Sequence, residues 1–343
     1  MYAKELAKND NKVFWINEPI RNPLKYLFSL IYSKNSKSGV RIYSPFLLVP
    51  TLYQLDRFNS FILKIQLFFI CGNLNSEKVV LWSVYCAHFN FVISFKKAYR
   101  IYWPGDIFDP EKEKKILTTY NLIMPLSECA LQMVNNLYSG ITILSTTGCD
   151  WELFDRTYQK KGKGNNFSKT DKKTIGYVGN ISSFRLDFNL LLELARNNND
   201  WIFQLFGPVE NDEKTTTWKN KLSHLSNVQF LGEIKYVEVP IVISGFEVGI
   251  IPYLESDFNL GTNPNKFFEY AAIGVPCVST PIPSLTKFSE VIEFGNSSND
   301  WSLAIKNSFN IEDSKKESLR EIAKYHSPKE SISRIDCLIS ETH

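Results

Sequence analysis

The sequence reads as an α/β protein of two open-sheet domains, and three observations carry that expectation. Short apolar runs alternate with helix-like patterns from end to end, the order that parallel strands with crossover helices require. At about 150 residues per domain, 343 residues make two. The stretch 158–173 (YQKKGKGNNFSKTDKK) is nearly devoid of large apolar residues and interrupts the alternation as a linker or long surface loop does. With 44% hydrophobic and 22% charged residues, the composition supplies two cores. It excludes a disordered tail, a disulfide miniprotein and a collagen-like repeat.

In chain order, the strand candidates before the polar stretch are KVFWIN (12–17), RIYSPFLLV (41–49), VVLWSVY (79–85), YRIYWPG (99–105), NLIMPLS (121–127) and ITILST (141–146). Segments 58–69 and 111–120 are patterned as crossover helices. After it come TIGYVGN (174–180), WIFQLFG (201–207), VQFLG (228–232), EVGIIPY (247–253) and PCVST (276–280), with helices expected near 188–197, 218–225 and 265–273. The tail from Ser314 is charged and helical, with a break at Pro328. In open α/β sheets a ligand sits at the carboxyl ends of the strands.

A net charge of +3 conceals a division. Residues 1–163 hold 21 Lys/Arg against 13 Asp/Glu, and residues 164–343 hold 18 against 23. A basic front and an acidic rear imply different surfaces, or simply solvated faces of different composition. The six cysteines (71, 86, 129, 149, 277 and 337) stand singly, without CxxC pairs or histidines at ligand spacing. Those at 71, 86, 129 and 277 lie in or beside apolar runs, as reduced thiols acting as small hydrophobes do. A reducing compartment and no zinc site follow. The start, MYAKELAKND, lacks the apolar core of a signal peptide. The longest oily run, Phe58–Cys71, is broken by Lys64 and Gln66 and is too short to span a bilayer. The chain is expected to be cytoplasmic. Its basic residues Arg21, Lys25, Lys34, Lys37, Arg41, Arg57 and Lys64, interleaved with Phe and Tyr, are suited to peripheral contact with an anionic membrane face. No nucleic-acid module is visible.

The strongest local signal is Thr262–Thr280, TNPNKFFEYAAIGVPCVST. Pro264 stands at a helix start, where a missing N–H costs nothing. Lys266 then falls in the first turn, and Glu269 follows at i+3 on the same face. The free N–H groups and partial positive charge of a helix start, joined by a lysine, suit a diphosphate. Glu269 is placed to accept from a ribose diol, as acidic residues do in other nucleotide sites. The same spacing also fits an exposed Lys–Glu pair on an ordinary surface helix.

This block resembles the donor-site signature of GT-B glycosyltransferases, in particular family 4 (group 1) and related bacterial exopolysaccharide transferases. IGYVGNIS followed by Asp187 and LLLELA, then DWIFQLFGP, NVQFLGEIKYVEVP and FEVGIIPY, resemble the successive segments of that family's C-terminal domain. GCDWELF (148–154) is similar to the segment closing its N-terminal domain. The resemblance covers roughly residues 120–285. It implies a GT-B fold, two Rossmann-like domains with an interdomain cleft: residues 1–157 as the acceptor domain, 158–173 as linker, 174–313 as the nucleotide-sugar domain, and 314–343 as helices crossing back to the first. It implies transfer of a sugar from a nucleotide-diphosphate sugar, UDP favoured, to a saccharide or lipid-linked saccharide in bacterial surface polysaccharide synthesis.

By the same resemblance Lys266 neutralises the diphosphate and Glu269 holds the ribose. Gly179 and Asn180 approach the phosphates through backbone N–H groups, although Gly179 also fits a plain turn. Arg185 is a further basic candidate. The loop containing Gly232, Ile234 and Tyr236 lies where the base is read. The donor is a substrate and no cofactor is implied. No metal is required where cations and a helix end stabilise the leaving group.

One departure concerns mechanism. Retaining members carry two glutamates eight positions apart, and here the position eight before Glu269 is Gly261. Gly261, Thr262 and Asn263 are then candidates for backbone or hydroxyl contacts to the donor. An inverting enzyme needs a general base for the acceptor hydroxyl. Asp106, at the end of YRIYWPG, resembles the strand-end aspartate of related transferases, and equally fits a turn or helix cap. Asp109, Glu18 and His88 are weaker acceptor-side candidates. Two other readings stay open: a nucleotide-sugar 2-epimerase of the same fold, and a catalytically degenerate GT-B subunit that serves a partner transferase.

Overall fold

The computed structural model describes residues 1–9, 12–16, 40–43, 61–62, 64–66, 68, 79–84, 92, 95, 98–104, 110–145, 148–161 and 172–342. The chain divides into two compact units, residues 1–145 with 331–343, and residues 146–330.

In the first unit the helix Tyr2–Lys8 precedes a parallel pair, β1 (Phe14–Ile16) with β2 (Arg41–Tyr43). A parallel sheet follows in the order β3 (Val80–Ser83), β4 (Tyr99–Tyr102), β5 (Leu122–Ile123), β6 (Ile141–Thr142). Successive side chains of a strand point to opposite faces, and both faces of this sheet are covered. Tyr102 and Ile123 join Leu117 and Val134 on one side. Tyr99, Ile101 and Leu122 join Tyr2, Ile332 and Ile335 on the other. Burial on both faces is why these strands read as continuous apolar runs. Among the described residues the β1–β2 pair is a sheet separate from β3–β6.

The second unit is a six-stranded parallel sheet of β7 (Lys173–Val178), β8 (Trp201–Phe206), β9 (Val228–Gly232), β10 (Val248–Ile251), β11 (Cys277–Ser279) and β12 (Ile292–Phe294). The spatial order is β9-β8-β7-β10-β11-β12. The helix Phe188–Asn197 starts where the Asp187 side chain accepts from the Leu190 N–H at 2.9 Å. It buries Phe188, Leu191, Leu194 and Ala195 at helical spacing. The helix Asn265–Ala272 connects β10 to β11. Strand order reverses between β7 and β10, and such a reversal opens a crevice at the carboxyl ends of those two strands.

The boundary differs from the sequence expectation. The helix Trp151–Lys161 belongs to the second unit, since Phe154 is fully buried in its core and Trp151 and Tyr158 pack against it. Arg320 fastens it there. The guanidinium lies over the rings of Trp151 and Tyr158, at 4.9 and 3.6 Å, and donates to the Ala272 carbonyl and to Asp155. GCDWELF therefore opens the second unit, and 158–161 is helix instead of linker. The helix Asp313–Tyr325 also stays in the second unit through buried Leu319 and Ala323. Only residues 331–343, most of the helix Pro328–Thr342, group with the first.

Cys129 is exposed, against the expectation of an apolar setting, and the four described cysteines (129, 149, 277 and 337) are free thiols. Cys71 and Cys86 lie outside the described residues, as do the basic residues Arg21, Lys25, Lys34, Lys37 and Arg57. No helix among the described residues is long and apolar enough to cross a membrane.

Candidate functional site

Several candidate groups of the second unit gather where the chain leaves β7 and β10. Gly179 is the first residue after β7, Tyr253 the second after β10, and Lys266 the second of the helix Asn265–Ala272. That helix begins at Pro264, whose extended backbone precedes the first turn without a side-chain cap, so the first N–H groups remain available.

Lys266 Nζ donates to the Tyr253 hydroxyl at 3.1 Å and lies 5.1 and 5.6 Å from the ring centroids of Tyr177 and Tyr253. Arg185 comes in from the loop after β7. Its guanidinium lies over both Tyr253 and Phe258, at 5.2 and 5.0 Å, and Nη1 reaches the same Tyr253 oxygen at 3.5 Å. Among the described residues neither cation has a carboxylate at ion-pair distance. Gly179 makes room for this arrangement. Its φ is +147°, and a Cβ there would fall 2.5 Å from Lys266 Nζ.

Burial works against the Lys266 ammonium, but Tyr177, Tyr253 and Glu269 favour it more, so its pKa is raised and the charge persists. Burial pushes the Tyr253 phenol up, and the charges and hydrogen bonds of Lys266 and Arg185 together outweigh it, leaving the phenol below its ordinary value. Glu269 is pushed up to about 7 by burial, which Lys266 only partly offsets. Its carboxylate accepts no hydrogen bond from the described residues. Lys266 and Glu269 are both largely enclosed by protein yet keep part of their surface open.

Tyr236 stands near Glu269. Its ring tilts against Phe154 at 6.1 Å, and its hydroxyl accepts from the Asp150 N–H at 3.3 Å. Burial of that hydroxyl, with Glu269 adding to it, raises the phenol's pKa. Asp150 Oδ1 accepts from the Leu153 N–H at 3.2 Å and so caps the helix Trp151–Lys161. Gly232 is exposed with φ +78°, and Ile234 packs against the core.

The remaining candidates separate by what they touch. Asn180 is exposed, and its carbonyl accepts from the Tyr177 hydroxyl at 2.8 Å. Gly261 closes the short helix Asp257–Leu260. Thr262 is buried, with its hydroxyl donated to the Asn259 carbonyl at 2.7 Å, so that group serves its own turn. Asn263 is also buried. Asp106, Asp109, Glu18 and His88 lie outside the described residues. Among the described residues no three His, Cys, Asp or Glu side chains converge as metal ligands would.

Tyr253, Tyr177 and Phe258 escape a reading of the sequence. The available signals were two tyrosines, one just past the apolar run of β10 in IIPY and one within IGYVG. Their importance depends on β7 and β10 being neighbours, which the strand order supplies.

Residues 172–314 match the model of the family described as Glycosyl transferases group 1. TuaH of Bacillus subtilis (strain 168), assigned to teichuronic acid biosynthesis as a glycosyltransferase, is 31% identical over 143 residues. That match covers 42% of this chain and 35% of TuaH, so it spans about a third of the relative's length. Anabaena HepE, solved in complex with UDP and glucose, superposes with a TM-score of 0.65 at 12% identity, over 94% of this chain and 98% of that one. Sucrose-phosphate synthase from Thermosynechococcus elongatus superposes at 0.72 and 12%, over 100% and 92%. The fold is GT-B, with two Rossmann-like α/β units, as the resemblance in the sequence implies.

Proposed function

We propose, with residues 172–314 taken as a domain of the group 1 glycosyl transferases, that this chain is a glycosyltransferase of bacterial surface polysaccharide synthesis. It takes a sugar from a nucleoside-diphosphate donor, UDP favoured, and passes it to a saccharide or lipid-linked saccharide. One observation carries the reading. Two cations, Lys266 at an uncapped helix start and Arg185 beside it, share a single phenol, and among the described residues neither has a carboxylate at ion-pair distance. An anion of two or more charges is the ligand such a site lacks.

In this reading the diphosphate lies against Lys266, Arg185 and the first N–H groups of the helix Asn265–Ala272. As the glycosidic bond to the donor breaks, charge grows on the leaving phosphate oxygen, and preset cations stabilise it without reorganising. That assignment asks for no resident metal. Glu269, one turn on and without a hydrogen-bond partner among the described residues, accepts from the ribose diol. Gly179 brings the backbone close. The general base of an inverting transfer is assigned to Asp106, and contact with an anionic membrane to the basic first unit in the cytoplasm. UDP is favoured because HepE of the same fold holds it.

A thermal-shift screen of the full chain against UDP-, GDP-, dTDP- and CMP-compounds tests the donor class, and silence towards all of them overturns the reading. Lys266→Ala should weaken donor binding or kcat/KM by about 100-fold, the loss of a charge-assisted contact in a partly buried site; unchanged kinetics would remove Lys266 from the site. Gly261 in place of a glutamate favours a second reading, a binding subunit without turnover. A new glycosidic product made by the purified chain alone dismisses it.

A further inference from the structure

Tyr253 is 2% exposed, yet its hydroxyl is the one oxygen that both site cations reach. A phenol has two acceptor lone pairs and one O–H. Lys266 Nζ and Arg185 Nη1 donate to that oxygen, at 3.1 and 3.5 Å, and no described residue accepts its proton. The ring does a second job for Arg185, whose guanidinium lies over its face at 5.2 Å, where the quadrupole attracts it, while Lys266 Nζ sits off the hydroxyl edge. The backbone around it is sutured. The Asn259 amide donates to the carbonyls of Arg185 and Leu254, at 3.2 and 2.9 Å. Leu254 N–H donates to the Arg185 carbonyl at 2.9 Å. The loop after β7 and the exit of β10 are therefore tied together.

We infer that Tyr253 is the positioning residue of the diphosphate site: its oxygen, shared by Lys266 and Arg185, and its ring, under Arg185, hold the two cations side by side while the site is empty, and its O–H remains to be donated to a phosphate oxygen. This rests on the nucleotide-sugar reading above. Two like charges left to themselves move apart, and ordering them after the ligand arrives costs affinity. A shared acceptor between them lowers that cost. Tyr253→Phe keeps the ring and its packing and deletes only the oxygen.

The test is isothermal titration of the full chain and of Tyr253→Phe with inorganic pyrophosphate, UDP and uridine. The expected result is about a tenfold weakening for pyrophosphate and UDP, the loss of one hydrogen-bonding centre beside charged groups, with uridine binding unchanged. Equal pyrophosphate affinity in the two proteins overturns the positioning role and leaves the nucleotide-sugar reading intact. A wild-type chain that binds neither pyrophosphate nor UDP overturns both. A second measurement does not depend on the variant folding. Ultraviolet titration of wild-type tyrosines with and without pyrophosphate should show one phenol ionising later when the anion is present, because a neighbouring negative charge disfavours phenolate. A titration curve that pyrophosphate does not move overturns the proposal.

Discussion

Glu269 combines a buried setting with a carboxylate that no described group ties down, and pH should reveal it. Its folded pKa of about 7 lies above the ordinary 4.5, so between those values the folded state holds more protons than the unfolded chain. The group's contribution to stability is therefore most favourable below 4.5, declines as pH rises to 7, and is flat beyond. Thermal unfolding measured from about pH 5 to pH 8 should show that decline in wild type, and Glu269→Gln should flatten it. On the proposed role of Glu269, nucleotide affinity should run the other way, falling on the acid side of about pH 7 as the carboxylate loses its charge. Lys266 and Glu269 were legible because i, i+3 spacing on a helix is a local property. Tyr253 was not, because the two groups that define it lie 68 residues before and 13 residues after it in the chain.

The exit of β7 shows how an element's ending governs a site. Gly179→Ala combines a positive φ, which costs a side-chain-bearing residue about 1–3 kcal/mol, with a Cβ driven into the Lys266 side chain. The variant should stay folded with a modestly lowered unfolding temperature and lose most of its pyrophosphate affinity. Retained affinity would mean that Lys266 reaches the ligand from another position. Strands β7, β10 and β11 were visible in the sequence because central parallel strands are buried on both faces, as VGII in β10 is throughout. β12 was missed, since IEF is three residues long with only Ile292 fully buried. The helix Ser298–Ser308 was missed as well. Its buried Trp301, Ala304 and Ile305 are diluted by Ser, Asn and Asp, although Ser297 and Asp300 form a capping box at its start.

For the whole molecule, the charge division outlasts the corrected boundary. The first unit carries 18 basic and 12 acidic residues and the second 21 and 24. The boundary itself was hidden because its determinants are tertiary: Arg320 seals the helix Trp151–Lys161 onto the end of the helix Asn265–Ala272. The segment that matches the family, 172–314, is thus narrower than the folding unit. A fragment of residues 146–330 should unfold cooperatively and bind UDP. One cut at 172–314 exposes the surface that Phe154 and Leu319 cover, and should melt lower or without a sharp transition by circular dichroism. Equal melting of the two would show that the flanking helices are dispensable. Every group that meets the diphosphate in this account comes from one uninterrupted run of chain. If the proposed site holds, such a unit can be inherited whole: a recombination that joins new sequence near residues 145 and 331 would transfer the nucleotide site intact and leave the rest of the chain free to diverge.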